Sequence, residues 1–194
     1  MFAFDPDSGL LAEARQLASP NCDQRPAACE PDLIVVHGIS LPPGEFGGPW
    51  IDQLFTNTLS AAEHPYFAEI ADLRVSAHFL ISRDGALVQY VSVNLRAWHA
   101  GESCFASRES CNDFSIGIEL EGEDQTPYEK AQYDCLAMLI DSLRTQKESL
   151  TDACVVGHSD IAPGRKTDPG EAFDWHYLDG LLSTKVNNSG TGRD

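Results

Sequence analysis

Two short apolar runs, each closing on a histidine, constrain this chain more than any other feature. Leu33-Ile34-Val35-Val36-His37 and Val155-Val156-Gly157-His158 are too short and too β-branched for helices. They read as buried strands delivering a last side chain to a sheet edge. The second run passes into Ser159-Asp160-Ile161-Ala162-Pro163-Gly164-Arg165-Lys166-Thr167-Asp168-Pro169-Gly170, a Pro- and Gly-rich loop that returns a lysine and a carboxylate. If the strands lie side by side, His37 and His158 emerge at one edge and Asp168 closes a triangle. Two imidazoles and one carboxylate suit Zn²⁺, and three protein ligands leave the fourth position for water, as in catalytic sites. No local spacing rule ties the two histidines together. Residue types alone therefore read equally as two structural histidines, with Asp168 a turn residue before Pro169.

The remaining elements place this pair in a mixed sheet. Residues 9–17 have a short helical pattern ended by Ser19-Pro20. Residues 49–59 carry Ile51, Leu54, Phe55 and Leu59 at helical spacing behind Pro49. Residues 74–82 and 87–91 flank Asp84-Gly85, a hairpin signal. Ser115-Ile116-Gly117-Ile118-Glu119-Leu120-Glu121 alternates: Ile116, Ile118 and Leu120 face one side, Gly117 and Glu119 the other, and the small Gly117 leaves room beside Glu119. Thr126-Pro127-Tyr128-Glu129 predicts a capped helix start, with Thr126 as cap and Glu129 closing a capping box, running to about Thr145. Residues 172–182 form a last helix with Trp175 and Leu178 facing in. The expected architecture is a single α/β domain over 1–186, a central mixed β-sheet flanked by helices, followed by a disordered tail at 187–194.

Charge and cysteines bound the partners. A formal net charge of −17 argues against nucleic acid or an anionic membrane as partner. No apolar run has membrane-spanning length. The N-terminus lacks the basic and apolar regions of a secretory signal, which predicts a cytoplasmic protein with its six cysteines as free thiols.

Several segments together resemble the AmpD-type N-acetylmuramoyl-L-alanine amidases, zinc enzymes that share their fold with peptidoglycan recognition proteins. They are Val35-Val36-His37, Ile39 to Trp50, His64-Pro65-Tyr66-Phe67, Arg74-Val75-Ser76-Ala77-His78, Arg96 to Gly101, Cys111 to Gly122, and Gly157 to Gly170, in order along nearly the whole chain. The resemblance implies that His37, His158 and Asp168 bind Zn²⁺, that Glu119 activates water, and that Lys166 stabilises the oxyanion. It implies substrate contacts from Arg74, Trp98, Tyr66 and Arg108. It further implies hydrolysis of the amide joining anhydro-muramic acid to L-alanine in muropeptides, by a monomer recycling cell-wall fragments and limiting β-lactamase induction. Without the resemblance, Glu119 reads as an exposed acid, Lys166 as a solvated loop cation and Trp98 as core. His64, His78, His99 and His176 are expected to be structural or supporting. Two departures stand out. Gly38 occupies a position where the family pattern has Asn, which removes one polar sugar contact. Ser110 stands where a basic residue is expected, which weakens contact with the muramyl or peptide part. The competing readings are a muropeptide-binding module without catalysis and a zinc peptidase acting on ordinary peptides.

Overall fold

The computed structural model describes residues 2–189. In chain order the elements are β1 (Arg15–Gln16), β2 (Cys22–Gln24), β3 (Leu33–Ile39), α1 (Trp50–Phe55), α2 (Phe67–Ile70), β4 (Phe79–Ile81), β5 (Leu87–Gln89), β6 (Leu95–Ala97), β7 (Cys104–Phe105), β8 (Arg108–Glu109), β9 (Ser115–Glu121), α3 (Lys130–Gln146), β10 (Cys154–Gly157), α4 (His158–Ile161) and α5 (Trp175–Ser189).

The main sheet has six strands in the order β1-β5-β4-β9-β3-β10. All its pairings are parallel except β4 with β5, the hairpin that Asp84-Gly85 predicts. The sheet is covered on both faces. On one face Ile34, Val36, Ile116, Ile118 and Leu120 pack on the apolar stripe of α3, Leu136, Leu139, Ile140 and Leu143, with Leu178 of α5 behind it. On the other, Leu80 and Val88 meet Ile51, Leu54 and Phe55 of α1 and Phe67 of α2. A smaller cluster joins Leu33 and Val35 to Ala100, Phe114 and Ile161 at the β10 end. A strand with both faces covered is apolar throughout, and β9 is buried at all seven positions. Glu119 is therefore buried rather than an exposed edge acid.

Register does the positioning. His37 of β3 lies opposite Glu119 of β9, and Gly157 of β10 opposite Val36 of β3, so His158 is the next residue beyond that ladder, level with His37. The two histidines emerge at one sheet end, as the runs of β-branched residues imply.

Several elements differ from expectation. Residues 9–17 form no helix. Gly9 has φ of +66°, and the side chain of Gln89 accepts from the Leu11 amide at 2.7 Å and donates to the Gly9 carbonyl at 2.9 Å. The segment thus runs onto the sheet edge as β1, where pairing with β5 outweighs a weak helical pattern. The strand over 74–82 shortens to β4 because the Ser76 amide bonds to Trp98 rather than to a ladder partner. The helix over 49–59 ends at Phe55, two residues before Asn57 at φ +59°. The cap of α3 is Glu129, whose amide donates to Gln132 at 3.0 Å; Thr126 instead donates to Glu123 at 2.5 Å. The last helix extends to Ser189, so residues 187–189 of the expected tail are helical, and 190–194 lie outside the described residues. All six cysteines are free thiols.

Candidate metal centre

His37, His158 and Asp168 meet at the sheet end. Strand β3 delivers His37, the first residue of α4 supplies His158, and the following loop folds Asp168 back. That return is fixed by the Ser159 amide, which donates to the Asp168 carbonyl at 3.0 Å. His37 Nδ1 and His158 Nδ1 are 2.9 Å apart, His158 Nδ1 is 3.0 Å from Asp168 Oδ2, and His37 Nδ1 is 3.3 Å from the same oxygen. The histidines are buried and Asp168 is partly buried.

The outward-facing nitrogens show what kind of occupant this triangle suits. His158 Nε2 lies 3.1 Å from the Ala100 carbonyl, which can only accept, so Nε2 carries a proton and the neutral ring presents its lone pair at Nδ1. Ser115 Oγ donates to the Cys111 carbonyl at 2.6 Å and must accept from His99 Nε2 at 3.1 Å. His99 Nδ1 then has a free lone pair and accepts from His37 Nε2 at 2.9 Å. Burial lowers His37 to about 4 against the pull of Asp168, so at neutral pH it holds a single proton, on Nε2. Two imidazole lone pairs and a carboxylate oxygen therefore converge within about 3 Å. Such a set repels itself until a cation sits among it, and two ligands each 2.0–2.1 Å from a tetrahedral ion are about 3.3 Å apart. The three residues can hold a metal ion.

Glu119 stands beside His37 on the neighbouring strand. Its Oε2 is buried and makes no hydrogen bond. Burial and then the Asp168 charge push its carboxyl well above the usual glutamate value, while the Lys166 ammonium opposes them. Lys166 itself is exposed on the loop between His158 and Asp168. His37, Glu119, His158, Lys166 and Asp168 all line one cleft of about 610 Å³. Leu41, Leu54, Phe55 and Ile70 form an apolar wall, and Glu123 and Asp124 an acidic rim.

The expected substrate contacts are placed unevenly. Tyr66 lines the cleft, but Arg74, Trp98 and Arg108 do not. Arg74 is exposed at the rim between the lining residues Leu73 and Val75, its guanidinium on the Leu73 carbonyl at 3.2 Å. Trp98 is half-buried, its amide on Ser76 Oγ at 3.1 Å. Arg108 pairs with Asp32 at 2.7 Å and lies over the Phe114 ring. Gly38 lines the cleft, and Ser110 is exposed at φ +60° beside β8.

The sequence did not single out what surrounds the ligands. The space at Gly117 is not left open beside Glu119. It seats the His99 ring, whose Cγ would lie 2.4 Å from a Cβ built there. The amides of His99 and Ala100 both donate to Asn112 Oδ1, at 3.0 and 2.8 Å. Arg165 donates to the Ala100 and Glu102 carbonyls at 2.6 Å, tying the lysine-bearing loop to the same segment.

A six-stranded mixed sheet with two histidines and an aspartate gathered at one end defines an α/β domain with a three-residue cluster that could hold a metal ion. The family described as N-acetylmuramoyl-L-alanine amidase matches residues 27–171, and the chain belongs to it. The 1,6-anhydro-N-acetylmuramyl-L-alanine amidase AmpD of Salmonella typhimurium (strain SL1344) is 60% identical over 178 residues, covering 92% of this chain and 95% of that protein. A crystal structure of a selenomethionine derivative of AmpD superposes with a TM-score of 0.89 at 57% identity, over 93% of this chain and 99% of that one. The amidase AmiD from E. coli, solved in complex with the substrate anhydro-N-acetylmuramic acid-L-Ala-D-γ-Glu-L-Lys, superposes at 0.57 with 27% identity, over 88% and 68% of the two chains.

Proposed function

We propose that this chain is a zinc-dependent amidase that hydrolyses the bond between 1,6-anhydro-N-acetylmuramic acid and L-alanine in muropeptides. The observation that carries the reading is the convergence of two Nδ1 atoms and one carboxylate oxygen beside a buried glutamate whose Oε2 has no hydrogen-bond partner. The substrate comes from the AmpD relatives, whose similarity runs the full length of the domain. A cleft of about 610 Å³ suits a sugar with a short peptide.

His37, His158 and Asp168 would hold the ion. Bound there, Zn²⁺ supplies Lewis acidity, making water a nucleophile near neutral pH and polarising the scissile carbonyl. Glu119 is placed to take a proton from the attacking water on its free Oε2 and return it to the departing alanine nitrogen, a contribution of about 10²–10⁴-fold. Its raised pKa suits it for both halves of that exchange. Lys166 brings positive charge to the carbonyl oxygen as that oxygen gains negative charge. Tyr66 and the apolar wall orient the sugar and exclude water; Arg74 acts from the rim. By family resemblance we place the reaction in cell-wall recycling in the bacterial cytoplasm, carried out by a monomer, where it would lower the muropeptides that induce β-lactamase.

The retention of Glu119 and Lys166 beside a complete ligand triad favours catalysis over a binding-only module. The test is turnover on an anhydro-muropeptide, on its reducing muramyl counterpart and on a plain peptide, with chelation and zinc add-back. Chelator-reversible release of L-alanine-terminated peptide from the anhydro substrate is expected. Cleavage of the plain peptide at an equal rate would make the chain a peptidase instead.

A further inference from the structure

A metal-binding imidazole is held by what its other nitrogen donates to, and that partner is normally a carbonyl, a carboxylate or water. His158 follows this rule, with Nε2 on the Ala100 carbonyl at 3.1 Å. His37 does not, because its Nε2 meets another histidine, His99, at 2.9 Å. A neutral imidazole accepts at Nδ1 only if its own proton sits on Nε2. In the other tautomer two N–H groups would face each other, and His37 could relieve the clash only by moving its proton to Nδ1, where a cation must bind.

The surroundings of His99 select the first tautomer. Ser115 Oγ spends its hydrogen on the Cys111 carbonyl at 2.6 Å, so towards His99 Nε2, 3.1 Å away, it can only accept. The His99 ring is seated by the missing side chain at Gly117, and its backbone is gripped by Asn112 Oδ1 through the amides of residues 99 and 100. The same two-residue segment therefore faces both histidines of the triad, His37 with a side chain and His158 with a carbonyl.

We propose that His99, locked by Ser115, is a positioning residue that keeps the proton of His37 on Nε2 and so holds Nδ1 bare for the metal. The proton order runs from His37 Nε2 to His99 Nδ1, and from His99 Nε2 through Ser115 to the Cys111 carbonyl. This line of hydrogen bonds stays fixed and is separate from the proton that Glu119 carries. His99 also lines the cleft, and the role assigned to it is to act through His37, by selecting one arrangement of hydrogens. The inference rests on the metal-site reading above.

Its test has two readouts. The first is the tautomer of His99 by ¹⁵N NMR of the whole chain, with and without zinc. The proton is expected on Nε2 in both forms, with the mixture shifting towards Nδ1–H in S115A. The second is zinc affinity by chelator competition. H99F, which removes the acceptor, should bind zinc about 10–100-fold more weakly. H99N, whose Oδ1 keeps an acceptor near the Nδ1 position, should recover most of that loss, and S115A should show a smaller one. A His99 proton on Nδ1 in the wild type would overturn the proposal. So would H99F with unchanged zinc affinity, or H99N as weak as H99F. Should H99F fail to fold, S115A and the wild-type spectra decide the matter. A wild type that takes no zinc would sink the metal reading instead, and the metal-free spectrum would still report the His99 tautomer.

Discussion

Replacing Gly117 by Ala tests the packing behind the metal site. A Cβ at residue 117 would lie 2.4 Å from His99 Cγ, 2.6 Å from Nδ1 and 2.7 Å from Cδ2. Ordinary contact begins near 3.4 Å, so the imidazole must retreat by about 1 Å, against a neighbourhood that is already close-packed. Forcing a methyl into such a core costs about 1–3 kcal/mol. The same retreat stretches the 2.9 Å contact between His99 Nδ1 and His37 Nε2 beyond hydrogen-bond range, so zinc affinity should fall with stability. The clash disappears when the ring is absent. In an H99A background the added methyl enters open space and replaces a strand glycine, which is worth about 0.5–1 kcal/mol in its favour. The substitution should therefore change sign between backgrounds. Denaturant unfolding of the four metal-free proteins measures the cycle, and a coupling well above 1 kcal/mol is expected. Equal costs for G117A with and without His99 would show that the glycine serves some other end and that the ring is not seated as described.

Other predictions address the chemistry. E119Q should retain zinc while losing about 10²–10⁴-fold in kcat; near-normal turnover would remove Glu119 as the base. Without metal, burial and the Asp168 charge hold the Glu119 carboxyl above its ordinary value of 4.5. The same shift bears on stability. A carboxyl whose pKa is raised on folding favours the native state only while protonated, so stability is lost as pH climbs from about 4.5 towards the folded pKa. Metal-free E119Q should thus melt higher than the parent at neutral pH and about equally near pH 4, and lower melting at pH 7 would contradict the burial argument. K166A should cost about 3–4 kcal/mol in transition-state stabilisation with little change in zinc content, read from kcat/KM and metal analysis.

How far the sequence carried the site depended on whether a residue's surroundings were local. The run ending at His37 declared itself as a buried strand, since β-branched residues covered on both faces leave a continuous apolar pattern. The run ending at His158 is a strand as read, but it is the sheet's edge strand, with Cys154 exposed and Val155 and Val156 half-buried. The hairpin at Asp84-Gly85 and the α3 stripe are likewise local signals. The alternation through β9 put Ser115, Gly117 and Glu119 on one face, and that pattern was visible. What covers the face was not, because His99 arrives from a loop with no periodicity of its own. The small residues were a clue that something large from elsewhere rests on them. Residues 9–17 misled for a related reason. Their helical spacing was genuine, but Gln89, some eighty residues away, claims the Leu11 amide and the Gly9 carbonyl. The expected arginine and tryptophan contacts came from resemblance alone, and the cleft lining takes in Tyr66 but leaves Arg74, Trp98 and Arg108 outside it.

The central claim is that His37, His158 and Asp168 bind one zinc ion, and X-ray absorption at the zinc edge on the loaded protein addresses it directly. The account predicts one ion per chain, with a first shell of nitrogen and oxygen at about 2.0–2.1 Å that includes two imidazoles. D168N should retain less metal after dialysis. A shell containing sulfur from any of the six cysteines, or a D168N protein that keeps its full complement of zinc in the same shell, would contradict it.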